Sequence, residues 1–395
     1  MRANRWLFGS TLLPALLLIA ACDGGKTAPP EPTPQPATPG ETKSTLTSVG
    51  TSASDLAREL QAEFDALMKD WGLSGAVAHG VGGWASVAQA VVPDVGLLSS
   101  GKLRTTDAQA VGKEILQAVA TVEKLPRGVY TCSGSYCTKK AESDDYVASR
   151  TTAKGVLKVE LDWDASSLGT PSPTVQLHML TNDGSPYQGY FIEAPTKMVA
   201  KVSLDAQVLA QGTLAVAWHP SSCLAGKYLH DVPDSLELSG FVNRPGSGKA
   251  IEASARYGIG AGKVHTSGSL SAKGVSNEAS VQWDVSSVGA VERSGCGRLS
   301  NFTPANLDFS AGVSADGQSL ALSFLADQFQ SGPQASFRLQ NGVLKVNKKQ
   351  VTFSGVLDDA NGNCVPGENV TLTFSSGSTS LEAFLIGQLG LRTCR

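Results

Sequence analysis

From about residue 127 onward, apolar and polar side chains alternate one by one. The run Leu157-Lys158-Val159-Glu160-Leu161-Asp162-Trp163-Asp164 puts Leu157, Val159, Leu161 and Trp163 on one side and the charged residues on the other. Val175/Leu177/Met179, Leu214/Val216/Trp218, Leu236/Leu238, Leu307/Phe309/Ala311/Val313, Leu320/Leu322/Phe324 and Val370/Leu372/Phe374 repeat the pattern. Between such runs stand turn signals: Asn182-Asp183-Gly184, Asp316-Gly317, Asn341-Gly342 and Asn361-Gly362. Short alternating runs bounded by these turns predict antiparallel strands with one buried and one wetted face. About a dozen or more strands follow, with no helix between them, which argues against βαβ folds.

Upstream the period changes. Leu56, Leu60, Phe64, Leu67, Met68 and Trp71 recur at three- and four-residue steps, predicting a helix over 54–71 with Ser52 or Ser54 as cap and Gly72 beyond its end. Val111, Ile115, Val119 and Val122 predict a second helix over about Thr106–Leu125, stopped by Pro126, with a short helix at Trp84–Val91 between the two. The expected fold is α+β and mostly β. It comprises antiparallel sheets, sandwich-like or as one large curved sheet, preceded by a small helical segment that docks on them. A membrane-spanning barrel also alternates, but its strands need about ten residues with an uncharged lipid side. The apolar runs here are mostly five to eight residues long.

A weak repeat runs through the β-rich part. Trp163-Asp164-Ala165-Ser166-Ser167-Leu168-Gly169 returns as Trp283-Asp284-Val285-Ser286-Ser287-Val288-Gly289, and loosely as Trp218-His219-Pro220-Ser221-Ser222-Cys223. Each Trp is expected to end a strand on its apolar face, with the Ser-Ser pair opening a turn. An aromatic ligand platform is the competing reading.

The first residues carry a different signal. Arg2 and Arg5 precede an apolar run from Leu7 to Ala20. That run falls short of the roughly 20 residues a spanning helix needs, so it reads as an export signal. Ile19-Ala20-Ala21-Cys22 resembles the lipobox of bacterial lipoproteins: a branched apolar residue, two small ones, then cysteine. The resemblance implies that Cys22 receives a diacylglyceryl thioether and becomes the mature N-terminus. Asp23 resembles the inner-membrane retention signal of enterobacteria, a rule that varies between bacteria, so inner and outer membranes both stay open. The stretch from Asp23 to Ser52, with Pro29, Pro30, Pro32, Pro34, Pro36 and Pro39, is expected to be an extended tether. The expected organisation is a signal peptide over 1–21, lipidated Cys22 and tether over 22–52, a helical segment over 53–126 and a β-rich domain over 127–395.

Charge narrows the partners. The formal net charge of −3, from 32 Lys and Arg against 35 Asp and Glu, becomes −5 once Arg2 and Arg5 leave with the signal. This excludes a strongly basic nucleic-acid binder. It also leaves the acyl chains, rather than adsorption to anionic lipid, as the membrane contact. Of the seven cysteines, Cys22 is assigned to lipid, leaving Cys132, Cys137, Cys223, Cys296, Cys364 and Cys394. Spacing does not settle their pairing. Cys132–Cys137 is favoured, because Ser133-Gly134-Ser135-Tyr136 makes a short hairpin turn between them, and Cys223–Cys296 with Cys364–Cys394 completes the set.

The search for chemistry is mostly negative, and no catalytic residue, cofactor or metal ligand is assigned. His79, His178, His219, His230 and His265 are scattered. Gly258-Ile259-Gly260-Ala261-Gly262-Lys263 has Tyr257 and Val264 where a phosphate loop needs glycine and hydroxyl, and reads as a bend between strands. Ser99-Ser100-Gly101-Lys102 matches S-x-x-K without its companions. Asp359-Ala360-Asn361-Gly362-Asn363, with Glu368, clusters oxygen ligands but is mis-spaced for an EF-hand and reads as a turn. Asp162 and Asp164 are expected to be solvated surface charges. Three roles remain. The first is an envelope lipoprotein that binds a protein, glycan or lipid partner or serves structurally. The second is a carrier of an apolar ligand between sheet and helices, and the third a hydrolase whose residues meet only in three dimensions.

Overall fold

A computed structural model describes residues 35–70, 128–133, 136–143, 145–152, 154–162, 174–181, 186–244, 248–330 and 335–394. Cys22, His79, Trp84–Val91, Ser99–Lys102, the helix expected over 106–125, Trp163 and Asp164 lie outside them.

Most of the described chain is strand, in one connected sheet. Its first part comprises β1 (Gln35–Pro36), β2 (Gly128–Ser133), β3 (Tyr136–Ala141), β4 (Tyr146–Thr152), β5 (Gly155–Asp162), β6 (Thr174–Leu180) and β7 (Pro186–Pro195). Then come β8 (Lys197–Leu204), β9 (Gln207–Pro220), β10 (Tyr228–Arg244), β11 (Gly248–Gly260), β12 (Lys263–Lys273) and β13 (Glu278–Ser294). The last are β14 (Arg298–Ala315), β15 (Gln318–Gln330), β16 (Ser336–Val346), β17 (Lys349–Leu357), β18 (Val370–Phe374) and β19 (Gly377–Ser380). From β8 to β19 every strand pairs antiparallel with the next, an unbroken meander. At the β8 side the order continues through β5, β4, β2 and β3, with β2 and β4 parallel. Among the described residues the β6–β7 hairpin pairs with the ladder where Leu177 and His178 run parallel to Tyr228 and Leu229. A mixed single sheet thus stands where stacked antiparallel sheets were one expectation.

Strand length also departs from the apolar runs. β10, β13 and β14 span 17, 17 and 18 residues. Backbone pairing carries the ladder past positions where serine or glycine replaces an apolar side chain, and bulges at Val288/Gly289 and Glu292/Arg293 absorb the misfits. Trp283 and Ser286-Ser287 accordingly lie inside β13, not at a strand end and a turn. The wetted side of these long strands carries Glu237, Arg256, Asp284 and many serines rather than a lipid-facing apolar band.

Helix α1 (Pro39–Asp70) begins well before the predicted residue 54, inside the stretch expected to be an extended tether. The reason is local. Thr38 Oγ1 accepts from Glu41 N–H at 3.2 Å and Glu41 Oε2 accepts from Thr38 N–H at 2.9 Å, a reciprocal capping box with Pro39 in the first helical position. Its inward stripe uses Thr42, Thr45, Val49 and Leu56, all buried, so half of it is hydroxylated and escapes a search for apolar periodicity. The helix crosses the strands. Thr45 meets Asn347 in the β16–β17 turn, and Glu59 accepts from Val275 and Ser276 in the β12–β13 turn. The roughly 21 Å rise between Thr45 and Glu59 matches the roughly 19 Å of four strand spacings.

Two clusters fill the helix-side face. The first lies beneath α1 and α2 (Leu381–Leu389) and includes Phe309, Val313, Leu320, Val351 and Val370. The second lies between the β6–β7 hairpin and β9–β11 and includes Leu177, Ala194, Leu214, Trp218 and Leu236. Trp283 packs against both. Three disulfides form: Cys132–Cys137 across the β2–β3 hairpin, Cys223–Cys296, and Cys364–Cys394.

Candidate functional site

The face of the meander turned away from α1 carries rows of small polar side chains. Register places Glu252, Ser271, Ser280, Ser314 and Ser319 side by side on β11 to β15. The neighbouring row reads Ser254, Ser269, Gln282, Gly312, Ala321 and Lys345, and the next Arg256, Ser267, Asp284, Ser310 and Ser323. These positions alternate with the core residues because side chains on a strand point to opposite faces in turn. Nothing among the described residues lies over them.

Two clefts open on this face. The larger, about 640 Å³, runs from Arg256 to Lys345 and is lined by Ser267, Ser269, Gln282, Asp284, Ser310 and Ser323. It crosses five strand spacings, about 24 Å, so it is a long shallow trough rather than a pit. The smaller, about 490 Å³, lies at the end marked by the turns after β12 and β14, between Lys249, Glu252, Lys273, Glu278 and Asp316. Hydroxyl pairs bridge neighbouring strands: Ser254 to Ser269 and Ser280 to Ser314, each at 2.9 Å. In the trough His265 Nε2 lies 3.1 Å from Asp284 Oδ2 and Arg256 pairs loosely with Glu237 at 3.5 Å, whereas Lys345 has no ion-pair partner among the described residues. The His265–Asp284 pair is open to solvent and, among the described residues, no serine hydroxyl bonds to the ring. The arrangement binds hydroxyls, amides and scattered charge; it does not assemble a nucleophile, a base and an oxyanion hole.

Other candidates fall into structural roles. His219 Nδ1 sits 2.8–2.9 Å from both oxygens of Asp234, which also holds Arg293 Nη2 at 3.3 Å, while Arg293 Nη1 donates to Gly297 O at 3.0 Å. This network ties β9, β10 and β13 together beside the Cys223–Cys296 bridge. His178 is 1% exposed, with its ring 5.6 Å from that of Phe191, and burial pushes its pKa below the ordinary histidine value, helped by nearby His230. His230 Nδ1 accepts from the Leu180 N–H at 3.1 Å. The Asp359 loop turns its acids largely onto itself: Asp359 accepts from the N–H groups of Asn363 and Cys364, Glu382 accepts from the side chains of Asn361 and Asn363, and Glu368 accepts from the Asn361 N–H with its second oxygen buried and unpartnered. It is a turn, and among the described residues no group of His, Cys, Asp or Glu is arranged to hold a metal ion. Gly258–Lys263 forms the β11–β12 hairpin, with Ala261 and Gly262 at positive φ. Asp162 corrects an expectation. It pairs with Val199 in mid-sheet and is 7% exposed rather than solvated, and its Oδ1 lacks a partner.

The two described tryptophans of the repeat, Trp218 and Trp283, supply no platform. Trp218 is 4% exposed, and Trp283 covers Gly268, where a Cβ would collide with the indole. Both belong to the helix-side face. The site that sequence reasoning missed is the serine array. Its signal was present as Ser at every second position of Ser267-Gly268-Ser269-Leu270-Ser271, but such a run reads as turn or linker until register stacks it. Compared with protein-family models, curated proteins and solved structures, the chain matches none.

Proposed function

We propose that this chain is an exported, lipid-anchored binding protein of a bacterial cell envelope, held by Cys22, whose open sheet face receives an extended polysaccharide. One observation carries the reading: a trough about 24 Å long lined mainly by hydroxyls, amides and a few charges. A serine hydroxyl both donates and accepts, as a sugar hydroxyl does. An extended peptide is recognised through apolar side-chain pockets or a free strand edge. A single-stranded nucleic acid needs a basic groove with stacking aromatics. Within the trough there is no strand edge, Arg256 and Lys345 are its only cations, and its lining is mostly polar, which suits neither of these nor a lipid chain.

The tether supports the same picture. Gln35 and Pro36 pair with Lys349 and Gln350 at the end of the sheet where the β12–β13, β14–β15 and β16–β17 turns lie. At the rise of an extended chain, the distance from Cys22 to Gln35 is at most about 40 Å, which would limit how far that end stands from the bilayer.

Two measurements test this. Cys22→Ala is expected to move the protein out of the membrane fraction; unchanged membrane association contradicts the anchor. The full chain, run through native gels containing a neutral β-glucan, an amino-sugar polymer or a polyuronate, is expected to be retarded by at least one of them. Ser310→Trp, which fills the trough from an exposed position, removes the retardation. Mobility identical in all gels overturns the glycan reading.

A further inference from the structure

The charges along the trough run against those of the chain. The whole chain has a formal net charge of −3. Of the three charged side chains that line the trough, however, two are cations, Arg256 and Lys345, against Asp284. Their partners differ as well. Asp284 Oδ2 lies 3.1 Å from His265 Nε2, so the acid already has a neighbour. Arg256 meets Glu237 only at 3.5 Å, with the two side chains 66% and 56% exposed, a pair of the kind that contributes little. Lys345 is exposed and has no ion-pair partner among the described residues. In the smaller cleft on the same face, Lys249 holds Glu252 at 2.6 Å and Lys273 lies 3.9 Å from Glu278. The unanswered positive charge of the two clefts thus lies in the trough, one cation at each end.

Register sets the spacing between those ends. Arg256 is on β11 and Lys345 on β16, and the strands between them contribute Ser269, Gln282, Ser310 and Ser323, one to each strand. The polar groups therefore recur at the strand spacing, about 4.8 Å. An extended 1,4-linked pyranose chain advances by nearly the same distance per sugar. Six sugars laid across the strands then meet six strands, each with a group that both donates and accepts, or a cation, beneath it. Lys345 falls in the row of Ser269 and Gln282, and Arg256 in the neighbouring row, so the two cations stand on opposite margins of such a chain.

We infer that the trough takes an acidic, 1,4-linked polysaccharide of the uronate type, lying across the strands, and that Arg256 and Lys345 select it by binding its carboxylates. This rests on the glycan reading and narrows it to one class. The guanidinium fork of Arg256 matches a carboxylate through two parallel hydrogen bonds, and the Lys345 ammonium acts as a point charge on a flexible stem.

The experiment runs the full chain in non-ionic detergent through native gels containing polymannuronate or a neutral polymer of the same linkage, hydroxyethylcellulose. Mobility is taken relative to a gel without polysaccharide, which cancels the charge that each variant changes. With two exposed charge contacts, the wild type is expected to bind the uronate about tenfold more tightly than the glucan. Arg256→Gln and Lys345→Gln should each weaken uronate binding about threefold, with a smaller change for the glucan. Asp284→Asn, which removes the only acid of the lining, should strengthen uronate binding. Glucan bound as tightly as uronate overturns the inference and leaves the glycan reading standing, as does uronate bound equally by wild type and both glutamine variants. Retardation by neither polymer also overturns the inference, and the glycan reading falls with it only if the amino-sugar polymer has no effect either.

Discussion

The two clusters on the helix-side face share one sheet but rest on different strands, β13–β18 for the first and β6–β11 for the second, and they differ in kind. Beneath α1 the packing is mostly hydrocarbon, and the buried hydroxyls of Thr42 and Thr45 on the helix are both hydrogen-bonded. Leu320 and Val370 are fully buried, and the rings of Phe309 and Phe324 stack at 4.8 Å. None of the unpartnered buried atoms among the described residues belongs to its buried core. Beneath the β6–β7 hairpin, apolar residues surround Trp218, Tyr257, Trp283 and His178, whose polar atoms are left over. The lid differs too: side-chain bonds from Glu41, near its start, and from Glu59 fasten α1 to the strands, whereas the hairpin joins the ladder at two residue pairs and the Leu180–His230 bond. One region is arranged to hold the fold, and the other keeps polar atoms that folding leaves unpaired.

The largest effect expected is in the α1 core. Leu320→Ala removes a fully buried side chain from a packed interior and should cost near the upper part of the 2–5 kcal/mol range for such truncations. Leu236→Ala, equally buried in the second cluster, should fall nearer the bottom, at about 2 kcal/mol, if that interior already has room to relax. Urea denaturation of both variants reads the difference, and equal losses would remove the contrast between the regions. The disulfides come next. Cys223–Cys296 closes a loop with a sequence separation of 73 against 5 for Cys132–Cys137. Loop-closure entropy then predicts losses of about 4 and about 2 kcal/mol when each pair is replaced by alanines.

A smaller effect separates the regions by pH. His178 is buried uncharged, with its folded-state pKa below that of the unfolded chain. Below about pH 6.5 the unfolded state therefore binds the extra proton, and stability falls as pH drops, by at most about 1.4 kcal/mol per pH unit. Protonated His178 would stand against Phe191 with His230 beside it and Lys227 over the Phe191 ring at 5.0 Å. Thermal melts between pH 5 and 8 should show this slope, and His178→Gln should flatten it. A wild-type slope that survives the substitution would assign the acid sensitivity elsewhere.

What the sequence made legible follows from which signals are local. Alternation at 307–313, 320–324 and 370–374 marked real strands because one face of each is buried. The Asn-Gly and Asp-Gly pairs marked turns because those residues accept positive φ, as Asp316 and Gly317 do. The Cys132–Cys137 pairing was legible from the short turn between the two cysteines, whereas spacing left the other two pairings open. The joining of all strands into one sheet was not, since pairings such as β5 with β8 depend on partners far along the chain. The open face escaped for a related reason. Serines on separate strands form a surface only through register, and nothing in Ser280, Ser314 or Ser319 alone distinguishes it from a loop residue.

The start of α1, by contrast, was written locally and overlooked. Thr38-Pro39-Gly40-Glu41 is a capping box, but it sits in a proline-rich stretch whose composition pointed to an extended chain. Glu41 does double duty there. The Lys349 ammonium and the Thr38 N–H hold its carboxyl well down, at about 2. Its contribution is therefore present above the ordinary glutamate range and lost as pH falls through about 2. Because the pair is open to solvent, its effect on global stability should be the smallest of this set. Its effect on the helix end should not be. Glu41→Gln keeps the box, as glutamine caps in the same way, while Glu41→Ala leaves the Thr38 N–H without its side-chain acceptor. Hydrogen exchange over residues 38–42 should quicken in Glu41→Ala and barely change in Glu41→Gln, with both melting temperatures close to wild type. Equal exchange in the two variants would mean that β1 pairing, not the cap, secures the start of α1.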